Sequence, residues 1–411
     1  MAFSALSFIQ LLTTDGKFLF TTRLVRLFAY GFLSVILALY LTQVGLTESA
    51  IGLLFTFTLL GDAGISLWIT TSADRIGRKR MLILGAALMI FAGGIFAITG
   101  NFIVLTIAAI IGVISPSGNE IGPFLSIEQA ALTEIIPNDQ RTRVFAWYNL
   151  VGSFATATGA LVSGALAQAM QAMGYAPLTS YRVIVIGYAA IGLLLIILFS
   201  RLSNQVETQR IAKTALGLHR SRNVVLKLSA LFALDAFAGG FIVQSLIAFW
   251  FQARWGVEPA VLGSIFFGAN ILAGISALSA ARIAKRIGLI NTMVFTHIPS
   301  NILLMLVPLM PNLPLAIIVL LIRFSISQMD VPTRQSYTMA VVDPDERSAA
   351  SGVTTIARSI GAAWSPSLTG ALFAASFFSA PFFLAGGLKI IYDLIIWRSF
   401  NAVKPPEEQR G

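Results

Sequence analysis

Among the ionisable residues within or against the long apolar stretches of this 411-residue chain, ten are candidates for work inside the membrane: Asp62, Glu120, Glu128, Asp235, Arg323, Asp330, Arg334, Arg358, Lys389 and Asp393. A charge at the centre of a bilayer costs at least about 2.5–3.5 kcal/mol, so such residues pair, face water or do work. The chemistry on offer is the binding of protons and of charged solutes. Asp235 lies in Ala233-Leu234-Asp235-Ala236-Phe237 with no charged sequence neighbour. Desolvation without a partner favours the neutral acid, which suits proton or substrate binding; the alternative is a hydrogen-bonded acid between two helices. Glu120 follows Ser115-Pro116-Ser117-Gly118-Asn119, where proline and polar neighbours open a helix and expose carbonyls. Asp330 precedes Val331-Pro332; it binds a proton or pairs with Arg334 one turn on. Lys389 and Asp393 have i,i+4 spacing and read as a self-satisfied pair. Arg323 and Arg358 either hold an anionic substrate or neutralise Glu120, Asp235 or Asp330. Tyr30, Asn119, Gln244 and Asn270 are polar candidates for substrate contact, and Trp250, Phe251 and Trp255 read as an interfacial aromatic belt.

The elements that carry these residues follow from composition. The chain is 56% hydrophobic and 11% charged, with a mean hydropathy of +0.83. Soluble proteins carry about 25% charged residues, so an ordinary cytosolic enzyme, a disordered chain and a disulfide-stapled module are all excluded. There is no cysteine, which removes thiol catalysis and zinc–cysteine sites, and the two histidines lack metal-ligand spacing. No G-x-x-x-x-G-K-S/T loop is present for ATP phosphates. No cofactor is expected. Apolar runs near 24–44, 51–71, 81–99, 103–125, 144–170, 183–200, 226–251, 260–282, 290–309, 313–334, 349–375 and 379–397 are each long enough to span hydrocarbon as a helix. No early run has the form of a cleaved signal peptide.

The net charge of +10 reads as topology rather than as a nucleic-acid surface. Lys and Arg crowd alternate connections, among them Arg75, Arg78, Lys79 and Arg80, Arg141 and Arg143, the 201–227 segment, and Arg282, Lys285 and Arg286. The other connections hold only Arg182 and Arg254. This alternation places both termini in the cytoplasm. The polar linker 201–225 divides the chain into an N-terminal six-helix bundle, 1–200, and a C-terminal one with a short tail, 226–411. An internal repeat supports the division. Shifted by 211 residues, Gly52 falls on Gly263, and Ala73, Arg75, Ile76 and Gly77 fall on Ala284, Arg286, Ile287 and Gly288. Shifted by 206, Gln129 and Arg141 fall on Gln335 and Arg347, and Gly164-Ala165-Leu166 on Gly370-Ala371-Leu372. The same shift sets Glu128 on Arg334, which suggests a cytoplasmic ion-pair gate between facing positions; the alternative is that both side chains snorkel to water.

Asp74-Arg75-Ile76-Gly77-Arg78-Lys79-Arg80 resembles the G-x-x-x-D-x-x-G-R-K/R loop of the major facilitator superfamily, with Thr70 in place of its first glycine. Together with the twelve spans, the duplication and Pro137 to Arg141, the resemblance covers essentially the whole chain. Arg23 to Gly31 and Met329 to Gln335 resemble a prokaryotic branch of unknown substrate. The resemblance implies an all-α fold of twelve transmembrane helices in two pseudo-two-fold-related six-helix bundles, rocking around a midplane site. It implies a latch at Asp74, Gly77 and Arg78, the carboxylate of Asp74 taking up helix N-terminal amides. It also implies that spans 1, 4, 7 and 10 line the cavity, and so carry Glu120, Glu128, Asp235, Arg323, Asp330 and Arg334. Gly159-Ala160-Leu161-Val162-Ser163-Gly164 departs from the antiporter motif G-P-x-x-G-G, and its small residues also suit close helix packing.

These readings point to a monomeric inner- or plasma-membrane secondary transporter in a lipid bilayer, with no nucleic-acid partner. Protons taken up by Glu120, Asp235 or Asp330 drive efflux of a small organic compound. The alternatives are proton-coupled uptake or uniport of a small, anionic metabolite, and a non-transporting sensor on the same scaffold.

Overall fold

The computed structural model describes residues 12–118, 124–136, 141–207, 219–343 and 346–401, without the side chains of Asp74, Glu134, residues 141–143 and Ser348. Glu120, Asn119 and Pro137 therefore lie outside the described residues. Those described form helices and no strand. In chain order they are α1 (Thr14–Ser34), α2 (Leu37–Gln43), α3 (Glu48–Ile76), α4 (Arg78–Ile98), α5 (Phe102–Ile111), α6 (Phe124–Ile135), α7 (Arg141–Ala172) and α8 (Pro177–Ser200). The second half follows as α9 (Arg222–Gly240), α10 (Gln244–Trp255), α11 (Pro259–Ile287), α12 (Leu289–Leu306), α13 (Leu313–Ile326), α14 (Asp330–Val341), α15 (Arg347–Ala374) and α16 (Ala380–Phe400).

Nine helical segments among the described residues are long and apolar enough to cross a membrane, and ten when α1 and α2, bent by 44°, count as one span. Two expected spans fall short of that test. Span 4 is broken after the ten-residue α5. Span 11 is the helix α15, whose Ser, Thr and Gly residues dilute its apolarity. The breaks follow a pattern. The first, fourth, seventh and tenth expected spans are each two helices: α1 with α2, α5 with α6, α9 with α10, α13 with α14. Side-chain caps set several helix starts. Thr13 accepts from the amide of Gly16, Asn101 from Ile103 and Val104, and Asn312 from Leu315, each worth about 0.5–2 kcal/mol.

The chain groups into two compact units. One takes the described residues of Met1–Leu46, Gly61–Lys213 and Glu258–Phe267; the other takes those of Thr47–Leu60, Thr214–Val257 and Gly268–Gly411. The first turns of α3 and α11 are thus exchanged relative to a division at the linker. Within the first unit α1 packs on α7 and α4 on α8; within the second α9 packs on α15 and α12 on α16. Glycine permits the close approaches. A Cβ on Gly159 would strike the carbonyl of Phe28, and one on Gly361 would strike that of Ala233. In the exchanged segments, a Cβ on Gly52 would lie 2.9 Å from the Cα of Gly370, and one on Gly263 would lie 3.1 Å from that of Gly164. The packing reading of these small residues holds. The belt reading of Trp250 and Phe251 does not: both are fully buried, and the Trp250 ring packs on Phe382 at 4.6 Å.

Candidate functional site

The second unit concentrates charge around one carboxylate. Asp235, on α9 and 2% exposed, takes Lys389 Nζ on Oδ1 at 2.6 Å. Its Oδ2 takes Arg358 Nη1 at 2.9 Å and Arg334 Nη1 at 3.1 Å. The same Arg334 nitrogen donates to Asp330 Oδ2 at 2.9 Å. Four helices, α9, α14, α15 and α16, supply these groups. Asp235 has no charged neighbour in sequence, yet three cations 99 to 154 residues away meet it, and of the two readings of Arg358 the neutralisation of Asp235 is the one observed. The Lys389–Asp393 pair is corrected. Lys389 turns to Asp235, and Asp393 bonds His297 Nδ1 at 2.8 Å and Asn301 Nδ2 at 3.3 Å. Of the two readings for Asp330, pairing with Arg334 is the one observed. Arg358 keeps 33% of its side chain accessible, while Arg334 keeps 8% and Lys389 11%. It is the open edge of the cluster. Arg323 is buried with its guanidinium carbon 4.8 Å from the Phe324 ring centroid, and Asp330 is its electrostatic partner. Gln244 and Asn270 bond each other at 3.2 Å.

The first unit holds a second charged core. Glu128 on α6 is gripped by Arg26 of α1, Nη1 and Nη2 each 2.7 Å from one carboxylate oxygen. Thr22 donates to Oε1 at 2.9 Å, and the Tyr148 hydroxyl donates to Oε2. The Arg26 guanidinium lies 4.6 Å from the Phe124 ring centroid. Glu128 and Arg334 therefore each hold a counter-ion within their own unit, and a gate between them requires both to leave it. Arg23 lies one residue before the expected start of span 1, and Arg26 lies inside that run but is absent from the sequence-derived cavity set; α1 begins ten residues earlier than the run. Tyr30 is fully buried on α1.

At the signature loop Gly77 turns the chain at φ +115°, and Gly288 does so at φ +86° in the second copy. The Asp74 side chain lies outside those described. The carboxylate that takes the free amides of α4 is Glu207, which accepts from Arg78 N at 2.7 Å and Lys79 N at 3.1 Å. Arg78 Nη1 and Lys79 Nζ reach the carbonyls of Val206 and Leu202. The far end of the linker is fastened by Glu346, which accepts the amides of His219, Arg220 and Ser221. Desolvation opposes its charge, yet these amides and the Ser221 hydroxyl hold its carboxyl down to about 2.

Helices broken at corresponding positions, with ionisable groups buried beside the breaks, define a polytopic solute carrier rather than a channel or an enzyme. The family model of the Major Facilitator Superfamily matches residues 19–366 and 252–411, and the chain belongs to that superfamily. An uncharacterized membrane protein of Saccharomyces cerevisiae is 29% identical over 95% of this chain and 94% of its own length. The quinolone resistance protein NorA of Staphylococcus aureus is 27% identical over 35% of this chain and 36% of its own. Among solved structures, a bacterial homologue of the human lysosomal transporter Spinster, inward-facing and occupied, matches with a TM-score of 0.70 at 15% identity. It covers 98% of this chain and 99% of that one. The protein is thus a multi-pass membrane transporter of small molecules, embedded in lipid.

Proposed function

We propose that this chain is a proton-coupled secondary transporter that carries a small organic anion by alternating access. The observation that carries this reading is Arg358, a third accessible at the edge of a buried cluster whose other cations are enclosed. The four cations Arg323, Arg334, Arg358 and Lys389 outnumber the three acids Asp235, Asp330 and Asp393, so an anionic group is the ligand that balances the cluster. A guanidinium offers a carboxylate or phosphate a planar pair of donors. The bundles 1–200 and 226–411 rock as a monomer, with both termini cytoplasmic, around a midplane site. Asp74, Gly77 and Arg78 act in gating.

A second reading, proton-coupled efflux of a small organic compound that is not an anion, is supported in its direction by the similarity to the quinolone resistance protein NorA over 145 residues. Sealed proteoliposomes with a pH dye inside, challenged with a panel of organic anions, cations and neutral compounds, decide between them. The expected result is proton flux evoked by an anion and lost in Arg358→Gln. Flux evoked only by cations or neutral compounds, unchanged in that variant, would sink the anion reading.

A further inference from the structure

The chain has two histidines, and one of them is buried beside the charged cluster. His297 is 4% exposed on α12 and holds Asp393, itself fully buried on α16, through Nδ1. Asn301, one turn on from His297, donates to the second Asp393 oxygen, and the Tyr392 ring stands edge-on to the imidazole with centroids 6.2 Å apart. One turn before Asp393, Lys389 donates to Asp235, which in turn holds Arg358. Two polar sets therefore meet one turn apart on α16: Asp393 with His297 and Asn301 of α12, and Lys389 with Asp235 of α9, which reaches the accessible arginine of α15. Apolar packing of Leu228, Phe232, Met293, Tyr337 and Ile396 adjoins them.

We propose that the His297–Asp393 pair is a proton-binding site and that its protonation favours an anion at Arg358. The second step rests on the anion-carrier reading above; the first does not. Imidazole is the side chain whose ordinary charge change falls between about pH 5 and 8, and the carboxylate on Nδ1 offers a proton a place in an otherwise enclosed site. The elements packed against α12 present Tyr392, Asp393 and Lys389 from α16, Asp330, Arg334 and Tyr337 from α14, and Arg323 from α13. With Asp235 and Arg358, four cations face three acids. A proton on His297 adds to that excess, and an anion at Arg358 removes it, so each ligand favours the other.

Histidine-labelled protein in lipid nanodiscs tests this by NMR, because His219→Gln leaves one imidazole signal and His297→Gln confirms its assignment. We expect the His297 ring to take up a proton as the pH is lowered. Asp393→Asn, which removes the carboxylate that holds the charged ring, should hinder that uptake, and Arg358→Gln, with one cation fewer, should ease it. A ring that stays neutral throughout, or converts identically in all three proteins, would overturn the proposal. Titration with these shifts, but no proton flux with any organic anion, upholds the proton site and removes the substrate reading. Anion-driven flux with a silent His297 removes the proton site alone.

Discussion

Arg26 and Glu128 meet fork to fork, each guanidinium nitrogen 2.7 Å from its own carboxylate oxygen, with neither side chain accessible. Bidentate geometry of this kind offsets much of the desolvation of both ions, and Thr22 and Tyr148 occupy further lone pairs. Removing one partner leaves the other charged and enclosed. Glu128→Gln should therefore lower stability by about 3–5 kcal/mol, read as a fall in the melting temperature of the detergent-solubilised protein. Arg26→Met in the same chain should return much of the loss. A single variant as stable as the parent would mean that the ion pair is exposed to water in solution.

Glu346 gives a pH dependence of defined sign. Its carboxyl is held at about 2 against an ordinary 4.5 by the amides at the start of α9. A group depressed in the folded state stabilises above its unfolded value, and that contribution disappears as pH falls through the folded one. The effect is fully present above about pH 4.5 and fades toward about pH 2. Hydrogen exchange at the amides of His219, Arg220 and Ser221 reads it directly. Protection should fall through that window in the parent chain and be low at every pH in Glu346→Gln. Equal protection in both would show that the clamp does not hold in solution.

How far the sequence reached depends on the range of the interaction involved. Helices follow from local apolar content, so the spans and the loop at Gly77 were legible, as were the paired glycines at 52, 263, 164 and 370 through the repeat. Lys389 and Asp393 show the limit. Their i,i+4 spacing marks them as neighbours, yet each has a better partner on another helix, Asp235 at 2.6 Å and His297 at 2.8 Å. Arg26 was missed differently: it lies two residues inside the run 24–44, and nothing local in the sequence shows that Glu128, 102 residues away, holds it.

The exchanged segments make a steric prediction. A side chain at Gly164 would enter the backbone of Pro259 and Gly263, which cannot rotate away. Overpacking of this kind costs about 1–3 kcal/mol. Gly164→Leu should lower the melting temperature and speed hydrogen exchange in 258–267 above that in 268–287. Gly94→Leu, where no atom approaches within 4 Å of a Cβ, serves as the tolerated control. If Gly164→Leu leaves exchange in 258–267 unchanged, the close approach is not a feature of the resting state.

Asp235 provides the sharpest test of the second charged core, because three cations depend on it. Asp235→Asn keeps the shape but leaves Lys389, Arg334 and Arg358 without their shared carboxylate; Asp330 remains for Arg334 only. An uncompensated buried charge is costly at about 3–5 kcal/mol. Lys389 loses its only described acceptor at that site and is the most enclosed of those left without one, so it should account for most of the damage. Arg358, a third accessible, can turn to water. Asp235→Asn with Lys389→Met should therefore melt closer to the parent than Asp235→Asn alone, and Asp235→Asn with Arg358→Met should not. The reverse ranking would mean that Arg358, rather than Lys389, is the enclosed partner, and it would remove the reason for assigning the anion to Arg358.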